Sequence, residues 1–413
     1  VGAALPVPGT RSIATVPLPP PERAKAIGLW AGMSGVALAL GPTVGGLMVE
    51  RLGWQSVFFL NVPIGIVAVV TASRTVRESV SEVTRELDIP GLLLGSGALF
   101  SATFALIEAN ELGWSDPLIV GMLVASAVLT VSFLLFERRS PKAMLPLRFF
   151  RIPAFSAGAT VAFSVSFGMF ATFFFMSLYM QLIRGYSAFQ AGVRFLPMTV
   201  LIIVTAPNAG RYASKHGSRI PMTFGLLLAG TGLLLLSRIS IETPYLLMAP
   251  VFAIMGIGIG ATMAPMTAAV MNAVGPERAG LGSATTNSAR EVGGVFGIAL
   301  LGTILTTRLN TVLAPALAPL GLAPATQASI ETTAGHGTLD PSQLAGLPLE
   351  QRGAVVAAFR ESWMNGFRLS LLVAGLVLLI AAVVANRFIP GRAHAREVTA
   401  AARVGDASAL EVS

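Results

Sequence analysis

Two adjacent charged residues, Arg290 and Glu291, lie in an otherwise apolar stretch of the sequence, SAREVGGVFG. At a rise of about 1.5 Å per residue, they lie roughly 20 Å along a helix from Glu277 and Arg278. Charged groups in lipid are costly, and they are by default candidates for moving protons or ions. Glu291 is therefore a candidate proton carrier, with a structural ion pair to an adjacent helix as the alternative. Arg194 is a third intramembrane candidate, but it lies near a span end, where a long side chain reaches the interface.

A row of aromatic side chains provides candidate substrate contacts. Phenylalanines recur at i, i+4, i+7 and i+11 on one helical face with methionines beside them, the set being Phe163, Phe167, Phe170, Phe174, Met169 and Met176. Aromatic faces attract cations, and methionine adapts its shape to varied ligands. The row is therefore a candidate wall for flat lipophilic cations. Packing in the bundle or contact with lipid is the alternative.

The composition requires these residues to be positioned by membrane helices. Of 413 residues, 54% are hydrophobic and 12% are charged, against about 25% charged in a soluble domain. The apolar runs are continuous and lack the alternation of a β-barrel, so we expect an all-α membrane protein. Ten candidate spans begin near residues 27, 56, 89, 118, 156, 189, 220, 245, 280 and 367.

Several functions are disfavoured by residue content. The chain has no cysteine and only three histidines, His216, His336 and His394, all outside the candidate spans. We therefore expect no thiol catalysis, no metal site and no cofactor. The net charge of +8 comes mainly from Lys and Arg in alternate loops. That distribution indicates a cytoplasmic C-terminus rather than binding to nucleic acid.

Glycine and proline interrupt the first span, in ALALGPTVGGLM at residues 37–48. Small residues let membrane helices approach closely, and Pro42 bends a helix by removing a backbone hydrogen bond. A bent and smooth helix surface can pack tightly and still move against its neighbour. We therefore expect a leucine at Gly41 or Gly45 to abolish transport without preventing membrane insertion.

This segment resembles the fifth and sixth helices of EmrB/QacA-type drug:proton antiporters, the fourteen-helix branch of the major facilitator superfamily. The family's antiporter motif is a glycine, eight residues, a glycine, three residues and G-P-x-x-G-G. It falls on Gly28, Ala37, Gly41, Pro42, Gly45 and Gly46, with alanine replacing the second glycine. The resemblance extends through GYSAFQAGVRFLPM (185–198) and GPERAGLGSATTNSAREVGGVFGIALLG (275–302).

A second family motif, a cytoplasmic loop between helices, resembles GRYASKHGSR at residues 210–219. Four of its positions match, and serine occupies the position of the acid; the five residues are Gly210, Ser214, Lys215, Gly217 and Arg219. Without the carboxylate, a charge interaction with a neighbouring helix loses one partner. The loop either contributes to gating or only sets the topology.

The resemblance also implies a domain organisation of helices five to fourteen, with the first three and most of the fourth missing. It assigns residues 1–21 to a remnant of the fourth helix and a cytoplasmic loop, 22–73 to two helices of the N-terminal bundle, 74–153 to two linker helices with flanking loops, 154–388 to a six-helix C-terminal bundle with an external loop at 306–365, and 389–413 to a cytoplasmic tail.

The function implied is proton-coupled export of drugs or other small lipophilic molecules by alternating access across the plasma membrane. Its partners are then a small-molecule substrate, protons and the bilayer; the oligomeric state is left open. The alternative is a transport-incompetent truncated fragment or a regulatory subunit. The external loop is interpreted as a lid or as filler.

Overall fold

A computed structural model describes residues 37, 40–75, 88–140, 147–274, 279–335, 337 and 339–391. Helices dominate this part of the chain, and it contains no β-strand. In chain order the α-helices are α1 (40–52), α2 (Ser56–Phe59), α3 (Asn61–Thr75), α4 (Ile89–Leu112), α5 (Pro117–Arg139), α6 (Pro153–Leu178), α7 (Ala188–Arg194), α8 (Leu196–His216), α9 (Arg219–Leu236), α10 (Tyr245–Val274), α11 (Ala279–Leu317), α12 (Pro324–Gly335), α13 (Pro341–Ala345) and α14 (Leu349–Phe388). A 3-10 turn (Leu147–Arg151) precedes α6, a π-helical turn (Tyr179–Ile183) extends α6, and a second 3-10 turn (Ala318–Leu320) extends α11.

The predicted membrane helices are present. Nine helices in the described residues are long and apolar enough to span a bilayer, and they match the predicted spans that begin near residue 56 and beyond. In this set α2 and α3 form one span, as do α7 and α8. The predicted span that begins near residue 27 falls largely outside the described residues, which include its end as α1.

Six spans form one packed bundle: α6, the α7–α8 pair, α9, α10, α11 and α14. Its core is continuous and built from Leu, Met and aromatic side chains, and the largest fully buried members include Trp363, Tyr179, Phe252 and Phe367. Tyr179 and Phe367 stack with ring centroids 5.4 Å apart, and Trp363 stacks on Phe367 at 5.1 Å. Such aromatic pairs link the end of α6 to α14.

Glycines set the spacing of the helices in this bundle. A Cβ atom on Gly258 of α10 would lie 2.6 Å from the backbone nitrogen of Ala229 in α9. A Cβ on Gly225 of α9 would lie 3.0 Å from the Cβ of Ala261 in α10. Both distances are shorter than van der Waals contact, so α9 and α10 can approach this closely only where the side chain is absent.

The two helices between α3 and the bundle form a separate hairpin. Asp88 accepts a hydrogen bond from the Gly91 N–H at 2.9 Å and so forms the N-cap of α4. Ser126 in α5 donates to the Ala98 carbonyl in α4 at 2.9 Å. This α4–α5 hairpin contacts the bundle at α11.

The segment at residues 306–365, predicted as an external loop, is largely helical in the part that is described. α11 continues to Leu317, α14 begins at Leu349, and the two short helices α12 and α13 lie between them. Ile330 and Ala334 are fully buried in the same core as the bundle. Gln343 donates to Ser329 Oγ at 2.9 Å and joins α13 to α12. We call residues 318–348 the cap; because it shares the bundle's core, it is a packed extension and not filler.

We expect Gly258→Val to disrupt folding, because two methyl groups and a Cβ must enter space occupied by the backbone of α9. Overpacking of this kind costs about 1–3 kcal/mol. The measurement is the thermal midpoint of the purified chain in detergent, with Gly121→Val as the control. Gly121 is exposed, and a Cβ added there would have no described atom within 4 Å. Equal midpoints for the two variants would contradict the role of glycine spacing.

Candidate functional site

The antiporter-motif helix α1 contacts α7 through backbone. A Cβ atom on Gly46 would lie 2.8 Å from the carbonyl carbon of Ala188 and 3.0 Å from the Cα of Phe189. In the opposite direction, a Cβ on Gly192 would lie 2.8 Å from the carbonyl carbon of Pro42. Glycines on both helices therefore permit this approach, which we call the α1–α7 contact.

Two polar side chains supplement the α1–α7 contact. The Thr43 hydroxyl donates to the Gly192 carbonyl with an oxygen–oxygen distance of 3.3 Å. The Glu50 carboxylate accepts from the Phe189 N–H at 3.3 Å. Phe189 lies in the first turn of α7, where backbone N–H groups lack helical partners, so Glu50 satisfies one of them.

The motif residues other than Pro42 and Gly46 have different surroundings. Gly41 and Gly45 have no described atom within 4 Å of an added Cβ, and Ala37 is exposed. Gly28 lies outside the described residues. Among the motif positions that are described, Gly46 is the buried glycine. We therefore replace the expectation that leucine at Gly41 or Gly45 blocks transport with the same expectation for leucine at Gly46.

The sequence also contains a signal for the α7 side of this contact, which was not among the predicted site residues. Ala188 and Gly192 are four residues apart, a small-x-x-x-small spacing on one face of α7. Both belong to the 185–198 segment that carries the family resemblance. The spacing predicts a close helix approach, but it does not identify the helix that approaches.

Arg194, at the end of α7, is held between two tyrosines instead of extending freely to an interface. Its guanidinium carbon lies 3.7 Å from the ring centroid of Tyr186 and 5.5 Å from that of Tyr245. Arg194 also donates to the Gln190 carbonyl at 2.8 Å, and the Tyr245 hydroxyl donates to the Arg194 carbonyl at 2.9 Å. These cation–π contacts fix the end of α7, close to Gly192.

A second arginine stabilises the turn between α9 and α10. Arg184 donates to the carbonyls of Ile241 and Thr243, the latter at 3.1 Å, and to the Tyr186 hydroxyl at 3.1 Å. The hydrogen bond from Arg184 lowers the pKa of the Tyr186 phenol below its usual value. Tyr186 thus links both arginines. Its role has no clear signal in the sequence, because tyrosine is common at the ends of membrane spans.

Arg290 and Glu291 occupy different environments on α11. Glu291 is exposed, whereas the Nε of Arg290 is buried and has no hydrogen-bond partner among the described residues. No carboxylate in the described residues lies within 4 Å of the Arg290 guanidinium. Arg290 and Glu291 therefore lie on different faces of α11, because adjacent residues on a helix point about 100° apart.

The aromatic row of α6 divides into two parts. Phe167, Met169 and Met176 are buried in the bundle core. Phe170 and Phe174 are 37% and 45% exposed. Phe163 is half-buried and lies beside Phe296 of α11, with 6.4 Å between ring centroids.

Glycines of α11 bring the charged residues next to this row. A Cβ on Gly293 would lie 2.8 Å from the carbonyl carbon of Phe163, and a Cβ on Gly294 would lie 2.9 Å from the Phe170 ring. Glu291 precedes Gly294 by three residues and so shares its helix face. The exposed carboxylate is thus about one helical turn from the position where α11 touches the Phe170 ring.

The second motif, at residues 210–219, forms the turn between α8 and α9. Gly217 has a φ of 92° and ends α8, a conformation that favours glycine. Arg219 donates to the Asn386 side chain of α14 at 3.1 Å. Ser214 uses its hydroxyl within α8, donating to the Arg211 carbonyl at 2.8 Å. Lys215 is exposed, and Gly210 lies beside Ala264 of α10.

The fold resembles a solved transporter. The chain matches the crystal structure of a bacterial homologue of the human lysosomal transporter Spinster, in an inward-facing and unoccupied conformation. The TM-score is 0.51 at 16% identity, and the match covers 93% of this chain and 75% of the other. At this identity the likeness concerns the fold alone.

Sequence relatives are named for resistance and export. The chain is 33% identical to the tetracenomycin C resistance and export protein of Streptomyces glaucescens, covering 92% of this chain and 71% of the relative. It is 36% identical to a methylenomycin A resistance protein of Streptomyces coelicolor, covering 74% of this chain and 64% of the relative. It is 32% identical to a puromycin resistance protein of Streptomyces alboniger, covering 93% of this chain and 70% of the relative.

The family model described as the Major Facilitator Superfamily matches residues 1–298. That range includes both helices of the α1–α7 contact and the charged residues of α11. The match agrees with the multiple apolar spans, the all-helical fold and the relatives named as exporters. The chain belongs to the Major Facilitator Superfamily and is a multi-pass membrane transporter of the plasma membrane, not an enzyme.

Proposed function

We propose that this protein is a proton-coupled exporter of drugs or other small lipophilic molecules that works by alternating access. The relatives named for antibiotic resistance and export support the substrate class. The observation that carries the mechanism is the α1–α7 contact, where Gly46 and Gly192 bring two helices together through backbone. We also assign the chain to the fourteen-helix branch, which the α4–α5 hairpin between α3 and the six-helix bundle supports.

The α1–α7 contact suits a joint that closes one side of a transport pathway. Backbone atoms in contact leave little space for water or ions between the helices. Among the described residues only the Thr43 and Glu50 hydrogen bonds supplement this contact. Two smooth helix surfaces with few polar contacts can separate or slide at low cost when the bundles rock.

Glu291 is the proposed proton carrier. Its carboxylate is exposed on α11, and no described residue neutralises it through an ion pair. A carboxylate in this position can bind a proton from one side and release it to the other as the pathway changes access.

The proposed substrate contacts are the exposed part of the aromatic row. Phe163, Phe170 and Phe174 present ring surface, whereas Phe167, Met169 and Met176 contribute to the core behind it. An aromatic surface near an unpaired carboxylate favours lipophilic cations through cation–π attraction and charge complementarity. Proton and substrate would then compete for the same negative charge, which is a simple basis for exchange.

We expect Gly46→Leu to reduce export by roughly tenfold or more, because overpacking of about 1–3 kcal/mol is about one to two powers of ten in an equilibrium. The matched control is Gly45→Leu, since Gly45 has the same residue type and no described atom within 4 Å. The measurement is efflux of a fluorescent lipophilic cation from cells that contain equal amounts of each variant in the membrane. Export by Gly46→Leu at the rate of the Gly45→Leu control would contradict the proposed joint.

A second substitution tests proton coupling. Glu291→Gln keeps the side-chain size but cannot carry a proton, so we expect loss of the uncoupler-sensitive part of efflux. Glu350→Gln is the control, because Glu350 is an exposed carboxylate in the first turn of α14. Its neighbour Gln351 donates to the Leu320 carbonyl, 29 residues beyond Glu291 along the chain. Efflux that stays sensitive to an uncoupler in Glu291→Gln would exclude Glu291 as the carrier.

A further inference from the structure

Three arginines line a cavity of about 520 Å³ at the end of α9 opposite the Arg219–Asn386 contact. Arg238 follows α9, Arg308 lies in α11 and Arg368 lies in α14. Asn365 lines the same cavity. α14 packs between α9 and α11, so residues that are distant in the sequence meet across it.

The cavity has an unbalanced positive charge. Within the described part of the chain, only Arg368 of the three has an acidic partner: its Nη1 lies 3.4 Å from Glu361 Oε1, at the exposed rim. Arg368 is also positioned by donating from Nε to the Ile239 carbonyl at 2.9 Å. Among the described residues, no carboxylate lies within 4 Å of Arg238 or Arg308. Three guanidinium groups against one carboxylate favour an anion with several oxygen acceptors.

An apolar path leads out of the cavity along the membrane face of α14. Leu369 and Leu372 line the cavity wall. Below them, exposed apolar residues continue on the same helix face at spacings of seven, eleven and fourteen residues from Leu369, namely Leu376, Ile380 and Val383. A free inorganic anion does not bind to an apolar surface, whereas an acyl chain can lie along it.

We propose that the cavity is a binding site for an anionic phospholipid. Arg238, Arg308 and Arg368 receive the phosphate oxygens, and the acyl chains follow the exposed stripe from Leu369 to Val383. Arginine forms paired hydrogen bonds with phosphate, so three arginines around one cavity suit the phosphate of a lipid headgroup. The site is separate from the α1–α7 contact and from Glu291, so it is independent of the proposed transport mechanism.

The test measures lipid binding to the full purified chain in neutral detergent by native mass spectrometry. The chain is titrated with palmitoyl-oleoyl phosphatidylglycerol, with the corresponding phosphatidylcholine, and with phosphatidylglycerol in the presence of excess inorganic phosphate. The variant is Arg238→Gln with Arg308→Gln, which retains Arg368 and its hydrogen bond to the α9–α10 turn. Arg360→Gln is the control, because Arg360 is exposed on α14 and does not line the cavity.

We expect saturable binding of phosphatidylglycerol that is tighter than binding of phosphatidylcholine and that inorganic phosphate does not displace. The double variant should bind roughly thirtyfold more weakly, at the usual contribution of two arginines to an anionic headgroup, while Arg360→Gln binds normally. Circular dichroism checks the fold; if the double variant is unfolded, Arg308→Gln alone replaces it, with an expected loss of about fivefold.

Three results would overturn the proposal. Equal binding of phosphatidylcholine would show that the charge has no role. Full displacement by inorganic phosphate would identify a site for a free anion instead of a lipid. Unchanged binding by the folded arginine variant would place the lipid elsewhere on the chain.

Discussion

Backbone contact at glycine is the constraint on which this structure depends. Lipid provides no hydrophobic force that drives helices together, so their association relies on close packing. In the bundle, Gly225 and Gly258 bring α9 and α10 together, and Gly293 brings α11 against Phe163 of α6. Larger residues at these positions would push the helices apart and open the shared core. The positions of Glu291 and the aromatic row follow from this spacing, since α11 carries one and α6 the other.

Glycine contacts within the bundle differ from the α1–α7 contact in what surrounds them. Within the bundle, glycine contacts are embedded in a continuous core of Leu, Met and aromatic side chains, so the helices are fixed. At the α1–α7 contact, Gly46 and Gly192 meet with only the Thr43 and Glu50 hydrogen bonds beside them in the part of the chain that is described. The neighbouring apolar side chains Val44 and Leu47 of α1 are 37% and 41% exposed, and a contact with little apolar burial around it is easier to open. Rigid bundles joined at weak, smooth contacts are what a rocking mechanism requires.

The sequence predicted features that depend on local composition, and it predicted poorly those that depend on which elements meet. Apolar length identified the spans that begin near residue 56 and beyond, because length and composition are local properties of the chain. The partner of Gly46 and the division of the aromatic row depend on the crossing of separate helices, which periodicity along one helix does not contain. The helical cap was missed because its alanine- and proline-rich composition resembles that of a loop, and because the burial of Ile330 depends on the bundle core that it meets.

α11 and α14, the two helices that carry the cap, are longer than a membrane span requires. α11 has 39 residues and α14 has 40, so each is about 60 Å long, twice the thickness of the hydrocarbon core of about 30 Å. Since the cap shares its core with both helices, it should move together with the bundle. A small tilt of the bundle therefore becomes a larger sideways displacement at the far tip of the cap. If the bundles rock as proposed, a fluorescent label on the cap would report that rotation.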